Sequence, residues 1–333
     1  MELNNIKSKF PIFKQKIKGK SLIYLDSANS SQKPRVVIDE ISKFYETEFS
    51  NVGRSVHTLA VKATNKFEET RDIVKSYINA KFREEIIFTK GATEAINLVA
   101  NTYGEKFIKA GDEIIVTELE HHSNYVPWHY LREKNGAVIK FASVNENGEI
   151  DIDEFKKNIT EKTKIIAFTH ISNVTGTIMP IKKIIDLAKS RNIPVLIDGT
   201  QGAPHSNLDV QDLDCDFYAI SCHKMYGPNG LGILYAKKKW LDELPPYQGG
   251  GGMISEVKKD EVTFAETPNK FEAGTMQTAE VVAFAKSIKF IQEIGIKNIE
   301  KHESEILEYG LEKLRKNNSV NIIGNPKNRA SIM

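Results

Sequence analysis

Between residues 86 and 235, short apolar runs alternate with stretches of helical periodicity. No other feature of the sequence restricts the fold as much. Ile86–Thr89, Ile114–Thr117, Val138–Phe141, Lys164–Thr169, Pro194–Asp198 and Asp216–Ile220 read as strands. Helical segments lie between them. Ile181–Ala188 is the best of these, apolar at i, i+3, i+4 and i+7. Short strands alternating with helices predict an α/β fold whose mostly parallel sheet is covered by helices on both faces. Ligands bind such sheets beyond the carboxyl ends of the strands, so the residues that follow each run are the candidates for function.

The flanks are less regular. Residues 1–20 read as an N-terminal arm or short helix. Leu22–Asp26 reads as a short strand entering a polar loop, Ser27–Pro34, and Pro34 starts a helix with Val37, Ile38, Ile41, Phe44 and Tyr45 on its apolar face. A second loop, Ser50–His57, precedes a helix from about Leu59 to Asn79. Four consecutive glycines make Gln248–Met253 a flexible break. Two helices follow, roughly Thr278–Ile294 and Lys297–Lys316, and then a strand, Val320–Ile323, which together look like the start of a smaller second domain.

Composition mainly excludes. A net charge of +2 over 333 residues gives no reason to expect a nucleic-acid or acidic-lipid partner. No apolar run is long enough for a membrane span or a signal peptide. The two cysteines, Cys215 and Cys222, are too few and too close for a disulfide framework, which fits a reducing, cytoplasmic setting. His121 and His122 are adjacent, point different ways and lack a third ligand nearby, so no metal site is expected.

The strand ends carry the chemistry. Lys224 lies on a connection bounded by Gly227, Pro228, Asn229, Gly230 and Gly232 between two apolar runs. It is either a solvated hairpin lysine or a desolvated amine able to attack a carbonyl. After Phe88 come Gly91-Ala92-Thr93 at a helix start. Thr93 is either a plain N-cap or part of an anion site at that terminus. After Val116 comes His121, which could stack on a planar ring. After Phe168 come His170 and Asn173. Asp198 and Gln201 follow an apolar strand, where a carboxylate needs a positive partner. Ser221 and His223 precede Lys224. An anion cradle, a stacking imidazole, an acid for a ring nitrogen and an amine for an aldehyde together suit pyridoxal phosphate.

At these residues the chain resembles the class V aminotransferase-like, fold-type I enzymes, and among them the Suf-type cysteine desulfurases and selenocysteine lyases. The matching stretches include Leu25–Ala28, Val56–Leu59, Gly91–Ala100, Glu120–Trp128, His170–Gly176, Asp198–Gln201, Ser221–Pro228 and Phe271–Thr275. The resemblance implies a large cofactor-binding domain over residues 21–290 and an incomplete α+β small domain over 291–333. It implies that Lys224 holds pyridoxal phosphate through its ε-amine and that Asp198 keeps the pyridine nitrogen protonated. His121 would stack on the ring and move protons, and Gln201 would meet the phenolic oxygen. Ala92, Thr93, Ser221 and His223 would hold the phosphate, with Thr275 reaching the phosphate of a second subunit in a homodimer. Ala28 and Asn173 would lie near the substrate.

The activity so implied takes sulfur from L-cysteine, leaving L-alanine and an enzyme persulfide, and passes it to an acceptor protein for iron–sulfur cluster assembly. Selenocysteine lyase is the sister expectation. A further alternative is a pyridoxal phosphate-binding scaffold without desulfurase activity. Neither cysteine stands where the family places its nucleophile, so the resemblance implies a chain lacking its C-terminal part. The arginine expected to bind the substrate carboxylate is not matched by Arg329. A nucleotide-binding reading is weak, because the glycines around Lys224 follow neither G-x-G-x-x-G nor P-loop spacing.

Overall fold

The computed structural model describes residues 3–53 and 55–333. The first two residues of the predicted arm and Arg54 of the second loop lie outside the described residues. Seven strands form the central sheet: β1 (Ile86–Thr89), β2 (Glu113–Thr117), β3 (Val138–Ala142), β4 (Thr163–Thr169), β5 (Val195–Asp198), β6 (Phe217–Ser221) and β7 (Gly232–Ala236). Their order is β1-β7-β6-β5-β4-β2-β3, and β7 alone runs antiparallel to its neighbours. This is the mostly parallel α/β sheet that the alternation predicts.

Burial on both faces explains the uniform strands. Along each strand, successive residues enter opposite cores. Ile115, Ile166, Phe168, Ile197 and Ile220 pack into one; Ile114, Val116, Ile165, Ala167, Leu196 and Ala219 pack into the other. The helix α1 (Arg35–Lys43) starts at Pro34, as its sequence predicts. It packs with α2 (Thr58–Tyr77) against a later helix, Thr278–Ile294, that is apolar nearly all round and largely buried. Between them, α3 (Ala92–Phe107) leaves β1 and crosses the sheet.

Three local expectations fail. Leu22–Asp26 is not a strand; a two-residue hairpin, Lys16–Ile17 with Lys20–Ser21, precedes it, and Ile23 and Leu25 are exposed. Val320–Ile323 is not a strand either. Its ends are exposed and no neighbouring strand meets its backbone, so the apolar residues have no ladder to join. The glycine run is followed by an exposed hairpin, Ile254–Val257 with Val262–Phe264, before the predicted helices. The last described residues are pinned elsewhere. Ala330 N–H donates to Gly176 O (2.8 Å), and Ala330 and Ile332 pack on Ile171.

Candidate active site

Three strand ends meet one helix start. Thr169, Asp198 and Ser221 end β4, β5 and β6, and α3 begins at Ala92 beside Ser221. They open on a cleft of about 590 Å3 that is also lined by Asn29, Thr93, His121, Asn173, Gln201, His223 and Lys224. A close approach builds its corner. A Cβ on Gly232 would lie 2.4 Å from the Gly91 backbone, so only glycine lets β7 pass under the start of α3. The Ala92 N–H then donates to Ser221 Oγ at 3.0 Å. That leaves the Ser221 hydroxyl hydrogen free for a ligand.

Lys224 ends a single turn, Cys222–Lys224, that follows β6. Burial pushes its amine below the usual lysine range, and the Asp198 carboxylate opposes part of that shift. The lysine is therefore desolvated, not a solvated hairpin residue. Asp198 is buried, and one oxygen accepts from the Thr200 N–H at 3.0 Å. Its other oxygen has no protein donor among the described residues. Gln201 donates through Nε2 to Ala28 O at 2.7 Å, while its Oε1 is buried without a partner, as is Thr200 Oγ1.

His121 Nδ1 accepts from the Ser123 N–H at 3.2 Å and lies 2.7 Å from Ser123 Oγ, so a neutral ring carries its proton at Nε2. Burial holds this ring below the usual histidine range, with Asp198 pulling it up and Lys224 pushing it down. Burial takes His223 down to about 4, with Lys224 and Lys33 adding to the shift, and its Nδ1 lies 3.1 Å from Ser30 Oγ. His170, below the cleft, meets Tyr218 Oη at 2.7 Å and is pushed by burial to about 4.

These residues fit pyridoxal phosphate. An acid with an unclaimed oxygen, two orphaned buried oxygens, a free hydroxyl at a 16-residue helix start and a desolvated amine all face one cleft. Among the described residues no cluster of side chains could hold a metal ion, and no helix is long and apolar enough to cross a membrane.

The aminotransferase class-V family profile matches residues 23–333. The chain belongs to that family. Within it, the chain is 44% identical over 333 residues to a probable cysteine desulfurase of Halalkalibacterium halodurans, covering 100% of this chain and 82% of that protein. It is 43% identical over 328 residues to a probable cysteine desulfurase of Mycolicibacterium paratuberculosis, spanning 98% of this chain but only 48% of that protein's length. The solved apo structure of a cysteine desulfurase from Thermococcus onnurineus superposes with a TM-score of 0.93 at 34% identity, covering 99% of this chain and 81% of that one. These relatives place the chain among the pyridoxal phosphate-dependent cysteine desulfurases.

Within this desulfurase fold, two predicted site residues, Ala28 and Thr275, do not line the cleft. Ala28 touches it only through its carbonyl to Gln201. Thr275 lines separate depressions, one with Phe88, Lys90, Glu94 and Tyr247. Its segment is anchored by Glu272, which receives Arg71 at 2.7 and 2.9 Å and the Phe88 N–H at 2.7 Å. Arg329 bridges to Thr177 in the tail and donates to Ile332 O, away from the cleft lining. Both thiols are fully buried. Burial pushes Cys215 up to about 12 and Cys222 well above the usual range.

The sequence reading missed the loop Asn29–Lys33 and Glu120. Asn29 lines the cleft, and Ser31 and Lys33 grip the lysine turn. The run of small polar residues there was visible but signalled only a loop. Glu120 accepts from Thr117 Oγ1 (2.5 Å), Asn124 Nδ2 (2.6 Å) and the Thr169 N–H (3.0 Å), tying the His121 turn to β4. Burial outweighs these donors and lifts its carboxyl to about 8.

Proposed function

We propose that this chain holds pyridoxal phosphate on Lys224 and acts as a cysteine desulfurase, taking sulfur from free L-cysteine for iron–sulfur cluster assembly. The observation that carries the reading is one cleft containing both a desolvated lysine and a buried carboxylate with an unclaimed oxygen. When bound, the cofactor supplies a sink for the electron pair freed at the substrate Cα. Lys224 Nζ moves the Cα proton. Asp198 would hold a proton at the ring nitrogen, and His121, with its proton at Nε2, would cover the ring face. Ser221, Thr93 and the start of α3 would hold the phosphate, and Asn173, in the same lining, would face the substrate. Transfer of sulfur to a thiol then balances without an outside oxidant. The new S–S bond forms as Cβ–S breaks, the pair stays on carbon with a proton, and cysteine plus thiol gives alanine plus persulfide.

The thiol is the step this cleft does not serve, because neither Cys215 nor Cys222 lines it and both are buried. That favours a second reading, a protein that binds cofactor and substrate without turning cysteine over. Asp198→Asn tests the first stage. Cofactor should remain bound, while exchange of the Cα hydrogen of L-cysteine with deuterium falls by about 10²–10³-fold. Unchanged exchange overturns the pairing. Exchange without alanine release by the unaltered chain selects the second reading.

The same proposal includes a homodimer in which Thr275 completes the phosphate site of the other subunit, a sulfur-accepting partner protein and a cytoplasmic location. Thr275 sits outside its own chain's cleft, as that arrangement requires. A protein that sediments as a monomer yet binds the cofactor tightly would contradict it. Selenocysteine as substrate is tested in parallel by comparing kcat/KM for the two amino acids.

A further inference from the structure

The peptide that joins His223 to Lys224 is held by the most crowded acceptor around the cleft. The His223 carbonyl receives the Ser31 N–H (3.2 Å), Ser31 Oγ (2.9 Å) and Lys33 Nζ (2.9 Å). Lys33 also donates to the Ser31 carbonyl at 2.5 Å, so one ammonium clamps the loop to itself and to the turn. Ser31 Oγ in turn accepts the Tyr226 N–H at 2.8 Å, and Ser30 Oγ meets His223 Nδ1. Beyond the turn, Tyr226 has a φ of +60°, an uncommon conformation for a bulky residue. Its ring is fixed between Phe10 and Phe290. The turn carrying Lys224 is thus gripped on both sides.

We propose that Lys33 is a positioning residue for Lys224: its ammonium locks the Asn29–Lys33 loop onto the His223 carbonyl and so fixes the peptide plane from which Lys224 projects. Both acceptors are carbonyls, so the bonds are charge-assisted without a carboxylate to neutralise the cation. Burial accordingly lowers the Lys33 amine to about 8. An amine that is costly to bury and holds only backbone acts through geometry and field. The geometry sets Lys224. The field falls on His223, which Lys33 helps to keep neutral and so able to act as a neutral hydrogen-bond partner. The cleft wall follows as well, because the same loop supplies Asn29 to the lining, and Ala28, the residue before it, gives its O to Gln201.

This inference rests on the reading that Lys224 takes up the cofactor aldehyde, and the test separates the two. Apoprotein is titrated with pyridoxal phosphate, and the borohydride-reducible adduct is quantified for the unaltered chain, Lys33→Met, Lys33→Arg and Lys224→Ala. The His223 ring is followed by NMR across pH in the apoproteins, and folding is checked by thermal melts. Lys33→Met keeps the aliphatic stem. It should bind the cofactor about tenfold more weakly or worse and raise the His223 titration point. Lys33→Arg should recover most of both. A folded Lys33→Met with unaltered affinity and an unaltered His223 titration overturns the proposal, and so does a variant that only melts earlier. If Lys33→Met does not fold, Ser31→Ala removes another donor to the same carbonyl, and its affinity decides by the same criterion. An adduct that survives Lys224→Ala defeats the cofactor assignment instead and leaves the loop contacts to be judged by the His223 titration alone.

Discussion

Two stretches of this chain were expected to serve the cofactor, one in its own subunit and one in a partner's, and they are built differently. The first is the set of strand ends from Thr169 to Lys224 with the start of α3. The second is the segment from the glycine run to Thr275. In the first, position follows from topology. Parallel neighbours β4, β5 and β6 all end on one side of the sheet, so Thr169, Asp198 and Ser221 must share an edge. In the second, the one ladder is the exposed hairpin Ile254–Val257 with Val262–Phe264, which does not join the central sheet. The segment is tied to the rest of the chain by a buried ion pair, Arg71 with Glu272, stacked against Phe88 with the guanidinium carbon 4.6 Å from the ring centre, by the Phe88 N–H to Glu272, by Lys270 Nζ to Leu241 O and by the buried Phe271. Its Thr275 faces a different depression. A sheet places side chains through many weak, regular bonds, whereas an irregular segment depends on a few specific ones.

The largest test of that difference is at the sheet end. Lys224→Ala removes the only lysine lining the cleft among the described residues, and the reducible cofactor adduct should disappear entirely while thermal unfolding stays close to that of the unaltered chain. An adduct at normal yield would mean that the topological argument points to the wrong amine.

The converse test strikes the irregular segment. Arg71→Met leaves Glu272 buried with a charge and two of its donors gone, since Arg71 is fully buried and binds both carboxylate oxygens. Destabilisation of about 3–5 kcal/mol is expected in urea unfolding. Under conditions where the variant is folded, Lys224 should still form the adduct, because the strand ends do not depend on this pair. Loss of stability below about 1 kcal/mol would show that the segment is held by something other than the pair.

The same contrast explains what could be read in advance. The sheet, the helices and the cleft residues from Thr93 to Lys224 follow from periodicity and from rules about strand ends. The lysine clamp does not, because Lys33 acts through the carbonyl of a residue 190 positions away, and no local pattern announces that. Glu120 was within a matching stretch, but its role appears only when β4 brings the Thr169 N–H to it. Leu22–Asp26 and Val320–Ile323 have strand-like composition without a partner strand, so pattern alone overcalled them.

A smaller effect comes from Glu120, whose carboxyl lies at about 8 against an ordinary 4.5. In the unfolded chain it ionises from about pH 4.5 upward, but in the folded protein it stays protonated until about pH 8. The folded state therefore binds the extra proton in that window, and stability falls as pH rises through it. Glu120→Gln keeps the shape without the titration. Its stability relative to the unaltered chain should be similar near pH 5 and should grow by a few kcal/mol by pH 8, read from urea midpoints at the two pH values. A constant difference would mean that Glu120 is already ionised in the folded protein.

The smallest expected effect is at Cys222, and it is the sharpest test of what the strand-end cleft leaves undone. Attack on the substrate sulfur needs a thiolate within about 3–3.5 Å of it. Cys222 is adjacent in sequence to His223 and Lys224, yet it is fully buried and packs into the core beside Met225 and Leu231, and its amide donates to Leu231 O at 3.1 Å. Ser221 and His223, on either side of it, line the cleft, while Cys222 does not. Burial keeps the thiol protonated at any ordinary pH, with the nearby Lys33 ammonium only partly opposing that. Cys222→Ser should therefore leave cofactor affinity and deuterium exchange at Cα unchanged, and should leave unchanged any sulfide released from L-cysteine with excess reductant. Its cost should be limited to stability, about 1–3 kcal/mol for a hydroxyl placed in an apolar core. Abolition of sulfide release in a variant that still binds cofactor would make Cys222 the sulfur acceptor. It would also require the lysine turn to open during turnover, and the strand ends could then no longer be treated as the rigid half of the site.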